Sequence, residues 1–392
     1  MANTIQHIFR QSFPAFAAGR KLPPHFHKAA RQFSRCRTAE LGGHIQACPE
    51  GHVERVWYNS CRHRTCPQCN QIQVERWLER QRARLLDCPH HHLIFTLPHE
   101  LNTLWAWNTG PLMQGLFLTV RDVLMELLAD PKYLGAEPGF LLALHTWGRS
   151  LSLHPHIHCL ITDGGLAAEQ WREPRGSCFL PARIVMAKFR GKFLWEVRRA
   201  IVQGTLRLPG GESVEHWQSL LNKLGRKKWN VHLRERYRHG DGVIQYLARY
   251  VRGGPLRNGQ LVAVNEAQVT YRYCAHNSDG AKRAAMMTLA PDAFIRRYLQ
   301  HVPEPGRHIL RGYGLYAHTK TPELDRARNL FHQPPFAPPA RLTWQAYYQR
   351  RQPQAGAHRC TVCGAPLVRS RLLAPSKGPP ARRPREEKPV HA

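Results

Sequence analysis

Acidic side chains are scarce in this chain: Asp and Glu number 27 against 57 Lys and Arg, giving a net charge of +30 over 392 residues. A chain this basic most often meets a polyanion, with nucleic acid the first candidate and a membrane surface the alternative. No run of about 18 apolar residues occurs, which excludes a transmembrane helix, and no basic amphipathic helix stands out for a membrane surface. The opening stretch, MANTIQHIFRQSFPAF, lacks the continuous apolar core of a signal peptide. The expectation is a cytoplasmic, nucleoid-associated protein with no membrane partner. In that compartment the eleven cysteines do not read as a disulfide framework. There is no internal repeat. Hydrophobic residues make up 42%, enough for a sizeable core and two or three domains.

Five of the cysteines fall between Cys36 and Cys69, together with His44, His52 and His63. Cys66-Pro67-Gln68-Cys69 is a CxxC knuckle, and Cys48 with His52 resembles a second half-site. Zinc takes four soft or borderline ligands in a tetrahedron, and short spacings let each half-site chelate without strain. The first assignment is Cys48, His52, Cys66 and Cys69 around one zinc, with Cys36, His44 and Cys61, joined or not by His63, around a second. The plain alternative is a reduced, thiol-rich basic domain with no metal. A module this small needs the metal to fold. Arg35, Arg37, Arg55, Arg62 and Arg64 among the ligands give it a cationic surface suited to phosphates. Cys360 and Cys363 form a lone CxxC that could complete a small metal site but has no second pair nearby in sequence.

Elsewhere the pattern alternates. Helices are expected over 70–87, 111–129, 183–203, 213–224, 241–252 and 291–301, and strands over 93–97, 140–147, 156–162, 229–234, 260–264 and 268–274. Separated strands and helices suggest an α+β fold with an antiparallel sheet. From 333 the chain turns proline- and arginine-rich, and the stretch from 373 is expected to be disordered. The expected domains are a zinc module over 25–75, a catalytic domain over 88–320 and a basic, proline-rich tail over 333–392 that is largely disordered.

His154-Pro155-His156-Ile157-His158 is the most informative stretch. Side chains alternate faces along a strand, so His156 and His158 point the same way, roughly 6–7 Å apart at their backbones. Two imidazoles at that spacing can hold one divalent metal. His154 with His156 is a competing pair, less suited because proline belongs at a strand's start. If the turn 148–153 joins two antiparallel strands, its midpoint places His145 opposite His156, on the same face, as a third ligand. A polar strand face with ordinary histidines is the bland reading. On helix 241–252, Tyr246 and Tyr250 lie one turn apart on one face, flanked by Arg249 and Arg252. Such a pair alone is usually core packing. Beside a histidine metal site on a strongly basic chain, a tyrosine can instead attack a phosphodiester, keeping the bond energy in a 5′-phosphotyrosine. Lys227 and Lys228, next to Arg226 and Trp229, could support a single strand by phosphate contact and stacking. Core packing is an equal account of Trp229.

These motifs together resemble a known family. The blocks are CRTAELGGHIQACPEGH (36–52) with YNSCRHRTCPQC (58–69) and LIFTLPHEL; LHTWGRSLSLHPHIHCLITDGGL (144–166); and VIQYLARYVRGGPL (243–256) with FIRRYLQHV (294–302). In order and spacing over about 25–320 the chain resembles the rolling-circle, two-tyrosine transposases of bacterial insertion sequences (the insertion-sequence-ninety-one type), within the His-hydrophobic-His endonucleases. At His52 the zinc block departs from plain CxxC pairs. The resemblance implies His156 and His158 as ligands of a catalytic Mg²⁺ or Mn²⁺, and Tyr246 and Tyr250 as nucleophiles. Three-histidine relaxases of the same superfamily are similar in carrying a ligand on the preceding strand, which supports His145. The implied activity is nicking and joining of single-stranded DNA at element ends, with structural Zn²⁺ in the N-terminal module. A relaxase or replication-initiation nickase, and a non-catalytic zinc-dependent DNA-binding regulator, are the rival readings.

Overall fold

The computed structural model describes residues 4–174, 179–251, 254–276, 281–351 and 359–376, without the side chains of Glu235, Arg249, Tyr250, Val251 and His276. Helices α1 (Ile5–Ala17) and α2 (Pro24–Arg35) lead into a hairpin of β1 (Gly43–Ala47) and β2 (Glu54–Tyr58). Helix α3 (Gln71–Arg84) runs to β3 (His90–Thr96), followed by α4 (Asn102–Trp107) and α5 (Thr109–Ala129). A second hairpin joins β4 (Gly139–Trp147) to β5 (Leu153–Thr162), and a short ribbon joins β6 (Gly165–Ala167) to β7 (Gln170–Arg172). Then come α6 (Ala182–Val202), α7 (Val214–Arg226), β8 (Asn230–Tyr237) and α8 (Asp241–Val251). Strands β9 (Leu261–Val264), β10 (Val269–His276) and β11 (Lys282–Leu289) precede α9 (Pro291–Leu299), β12 (Leu310–Gly314) and α10 (Thr321–Leu330). The last elements are α11 (Trp344–Arg351) and β13 (Val368–Leu373). Among the described residues, no helix is long and apolar enough to cross a membrane.

Two compact units divide the chain. One takes Trp77–Val251 and Pro303–Pro339, the other Met1–Arg76, Arg252–Val302 and Ala340–Ala392. The first of these is built on a five-stranded antiparallel sheet in the order β12-β4-β5-β3-β8. Alternation along each strand sorts its residues. Leu142 and Leu144, Leu93 and Phe95, and Ile157, Cys159 and Ile161 face one core. Helix α5 supplies Leu116, Phe117, Val120 and Leu124 at three- and four-residue steps, a stripe only a helix lines up. Val185, Phe189 and Phe193 of α6 complete the layer. Fully burying a side chain of this size stabilises by about 1.5–3 kcal/mol. Ile157 is thus buried in the core while its two histidine neighbours occupy the opposite face.

The other unit holds two three-stranded sheets, β13-β1-β2 and β11-β10-β9. An aromatic node ties its helices: Phe9 of α1 packs edge-on against Phe33 of α2 (5.2 Å between ring centroids) and Tyr298 of α9 (5.5 Å). The buried Tyr298 hydroxyl donates to the Thr65 carbonyl at 2.9 Å, fixing α9 to the cysteine knuckle. Gly254 (φ +78°) passes so close that a Cβ there would lie 2.3 Å from the Tyr298 hydroxyl and 2.4 Å from the Thr65 oxygen. Only glycine fits both that angle and that gap.

The α+β class with an antiparallel sheet is the one expected. The observed boundaries differ from the expected division into 25–75, 88–320 and 333–392. Residues 5–35 join the cysteine region through the aromatic node, and Arg252–Val302 groups with it rather than with the five-stranded sheet. Residues 340–376 are not a structureless tail: Tyr347 of α11 is buried and donates to Gln71 Oε1 at 2.9 Å, and β13 pairs with β1. Proline-rich composition hid both elements. Residues 377–392 lie outside the described residues.

Candidate functional site

Register puts three imidazoles together. The β4–β5 hairpin turns at Gly148, whose N–H donates to the Ser152 carbonyl at 2.8 Å, and pairs Trp147 with Leu153; a bulge between His145 and Trp147 then shifts the register by one, setting His145 opposite His156 and Ala143 opposite His158. His145, His156 and His158 therefore share the face away from the core, and one donor atom from each lies within 4.8 Å of the others. His145 and His158 are only 2% exposed. Burial holds the rings in the neutral form: His156 is pushed down to about 4, and His145 and His158 lie well below the usual histidine value. Neutral imidazole is the form that ligates a metal.

Hydrogen bonds settle which nitrogens are available. His156 Nδ1 sits 2.6 Å from the His154 carbonyl oxygen. A carbonyl only accepts, so Nδ1 carries the proton and Nε2 keeps its lone pair. His154 thus supports His156 through its backbone; its own ring is outside the three-histidine group. His158 Nδ1 lies 2.8 Å from Nε2 of the buried His92, on the adjacent strand β3. With Nδ1 of His158 as the donor, the lone pair of that ring falls on Nε2, the arrangement by which a neighbouring group orients a metal-binding histidine. His92 is pushed down to about 4, by burial first and by the Arg234 charge second. Arg234, on β8, is exposed.

Helix α8 packs against β4 and β5. Its buried stripe is Val243, Ile244, Leu247 and Ala248. Tyr246 lies off that stripe, 37% exposed, with its ring centroid 5.3 Å from that of His158 and 5.8 Å from that of His92. Asp241 opens the helix and binds Arg82 Nε of α3 at 2.6 Å and Gln245 Nε2 at 2.7 Å. Tyr250 is on the same helix, one turn on; its side chain and that of Arg249 lie outside the description, as does all of Arg252.

Seven of the described cysteines fall into two groups. Cys36, Cys61, Cys66 and Cys69 converge, with Cys61 and Cys69 sulfurs 3.6 Å apart and the Cys61 N–H donating to Cys36 Sγ at 3.5 Å. Asn70 clamps the knuckle, its Nδ2 donating to the carbonyls of His63 and Cys66 at 2.7 Å each. Without a cation the thiols share protons: Cys36 and Cys69 are drawn down by S–H donation from their neighbours, while Cys61 and Cys66 are pushed up. A divalent ion would let all four ionise. Cys48 and His52 instead meet Cys360 and Cys363.

A family model described as "Putative transposase" matches residues 139–323, and one described as "Transposase zinc-binding domain" matches residues 8–97. A Sinorhizobium fredii (strain NBRC 101917 / NGR234) protein named "Putative transposase y4qJ" is 33% identical over 338 residues, 84% of each chain. The chain belongs to the insertion-sequence-ninety-one (IS91) family of transposases. The transposase for insertion sequence element IS801 of Pseudomonas savastanoi pv. phaseolicola is 29% identical over 353 residues, 85% of this chain and 80% of that one. No solved structure matches. The transposase carries its four-thiol group inside the matched zinc-binding domain.

The structure corrects the expected sharing of zinc ligands. Cys66 and Cys69 group with Cys36 and Cys61, not with Cys48 and His52. His44 joins neither group: it sits mid-strand on β1 between Trp57 and Leu372. His63 Nδ1 instead pairs with the Thr65 hydroxyl at 3.0 Å, and burial against Phe33 pushes the ring down to about 4. Lys227 is ion-paired with Glu100, Lys228 is exposed, and Trp229 is a 3%-exposed core residue unable to stack on a base. His92 and Arg234 were not anticipated. Three consecutive histidines, 90–92, were the available signal.

Proposed function

We propose that this transposase cuts and rejoins single-stranded DNA at the ends of its element through 5′-phosphotyrosine intermediates, the work of a nucleoid-associated enzyme. The observation that carries the reading is Tyr246 standing over the three-histidine group, 5.3 Å from the His158 ring, on an exposed helix face. His145, His156 and His158 suit a divalent cation: all are neutral, and His156 offers Nε2 because Nδ1 is spent on a carbonyl. An all-imidazole donor set favours Mn²⁺ over the more oxygen-loving Mg²⁺. When bound, the ion polarises the scissile phosphate and offsets charge on its oxygens.

The chain's own residues do the rest. The Tyr246 phenol loses its proton and attacks phosphorus; the bond to the 3′ oxygen breaks, and that oxygen takes up a proton as a 3′-hydroxyl. Phenol titrates near pH 10, lower than an aliphatic alcohol, so it both attacks and leaves more readily. The reverse attack by a 3′-hydroxyl reseals without ATP. Tyr250, one turn along α8, serves the second transfer. His92 orients His158, and Arg234 meets the strand's phosphates near the site, with Lys228, Arg249 and Arg252 adding charge. Cys36, Cys61, Cys66 and Cys69 hold the structural zinc. The test is a denaturing gel with an element-end oligonucleotide: Mn²⁺-dependent protein–DNA adducts are expected from the wild type and not from a Tyr246→Phe, Tyr250→Phe double variant. Tight binding with no wild-type adduct would leave a DNA-binding regulator.

A further inference from the structure

We propose that Cys48, His52, Cys360 and Cys363 bind a second zinc ion, which clasps the C-terminal strand β13 to the N-terminal hairpin. Their donor atoms all lie within 4.8 Å of one another. Cys48 Sγ is 3.5 Å from Cys363 Sγ and 3.7 Å from His52 Nδ1. A tetrahedral zinc, with bonds of about 2.3 Å to sulfur and 2.0–2.1 Å to nitrogen, spaces its ligands about 3.5–3.8 Å apart. A disulfide would need about 2.05 Å.

The two half-sites are built alike. The Cys48 N–H donates to the Val53 carbonyl at 2.8 Å and the Gly51 N–H to the Cys48 carbonyl at 2.9 Å. The Cys360 N–H donates to the Ala365 carbonyl at 2.7 Å and the Gly364 N–H to the Cys360 carbonyl at 3.0 Å. Each knuckle turns on a left-handed glycine, Gly51 (φ +76°) and Gly364 (φ +72°), with open space where a Cβ would lie. Arg359 Nη1 donates to the Gly364 carbonyl at 3.0 Å and braces the second knuckle.

Among the described residues, the β13–β1 ladder, the Ser370 hydroxyl donating to the Ile45 carbonyl at 3.4 Å and the Ser376 N–H donating to the Ala39 carbonyl at 3.0 Å hold the strand, but little apolar burial supports it. Val368, Arg369, Ser370, Arg371 and Leu372 of β13 are exposed. The apolar packing beside it is small, Cys48, Cys360 and Leu367 with Val53 and Ala365 against them. Cys48 and Cys363 are 315 residues apart in sequence, so an unassisted contact would have to overcome a long loop closure. Three thiolates and an imidazole are a zinc set in a reducing compartment. Neither matching family model, 8–97 or 139–323, reaches Cys360 or Cys363. The site is independent of the tyrosine chemistry.

The test is zinc content of the full chain, measured by atomic emission, with cobalt substitution. With the three-histidine site filled by Mn²⁺, two zinc ions per chain are expected in the wild type and one in a Cys360→Ser, Cys363→Ser variant. One ion in the wild type, or two in both proteins, would overturn the proposal. Should the double variant not fold, His52→Cys decides. It is expected to keep two ions and to move the cobalt spectrum of the second site toward a four-thiolate pattern; an unchanged spectrum would overturn it.

Discussion

Single hydrogen bonds decide the chemistry of the histidine face. The His154 carbonyl fixes the tautomer of His156, and His92 occupies Nδ1 of His158. Replacing His92 by Phe removes that partner and is expected to weaken Mn²⁺ binding by about 10- to 100-fold, read by calorimetric titration. Gln, which can still hydrogen-bond, should restore most of it; equal affinity in all three proteins would deny His92 a positioning role. A further buried histidine adds to the acid sensitivity that the histidine face itself brings to the sheet. His90 Nδ1 donates to the Cys88 carbonyl at 2.8 Å, and its Nε2 accepts from the Tyr316 hydroxyl at 2.7 Å, which itself accepts from the Leu86 N–H. Burial pushes His90 down to about 3. The unfolded ring binds its proton near 6.5, so below that pH the unfolded state takes up the proton first. Stability from this group is complete above pH 6.5 and falls as pH drops toward 3, by up to about 1.4 kcal/mol per unit. Urea midpoints at pH 7.5 and 5 should differ, and less so in His90→Asn. Much of this face was legible in the sequence. Strand alternation put His156 and His158 on one face; the expected turn over 148–153 put His145 opposite His156, a pairing the hairpin reaches through a bulge that the sequence did not show. His92 was not legible, because three histidines in a row say nothing about which of them faces the site.

Helix α8 carries the two proposed nucleophiles, and its first turn is tied down by the Arg82–Asp241 pair. Both partners are more than a third exposed, so the pair contributes only about 0.2–1 kcal/mol. Asp241→Ala should scarcely move the melting temperature. It should speed amide exchange in α8 and slow adduct formation, because the effect falls on where the phenol sits. Exchange unchanged beside slower chemistry would point to a different cause. At this scale the sequence was legible where periodicity was strong, as in α5 and α7. It was silent where pairing is made at long range. The lone Cys360–Cys363 pair finds its partner only once β13 lies beside β1.

The whole molecule divides its labour between a sheet with a histidine face and a cysteine-rich unit drawn from both ends of the chain. Phe117→Ala, deep in the core of the sheet unit, should cost about 3–5 kcal/mol there and leave zinc content unchanged. The net charge of +30 predicts that binding to single strands falls steeply and linearly on a log–log plot against salt, with a shallower slope for Arg234→Ala. Charge pointed from the sequence to nucleic acid as the partner class; the unit boundaries needed the aromatic node around Tyr298. The most direct measurement of the central claim uses a 3′-labelled single-stranded oligonucleotide from an element end, incubated with Mn²⁺ and resolved under denaturing conditions. Label should travel with the wild-type protein, disappear with EDTA and be absent from the Tyr246→Phe, Tyr250→Phe variant. Equal labelling of that variant, or none of the wild type, would contradict the account.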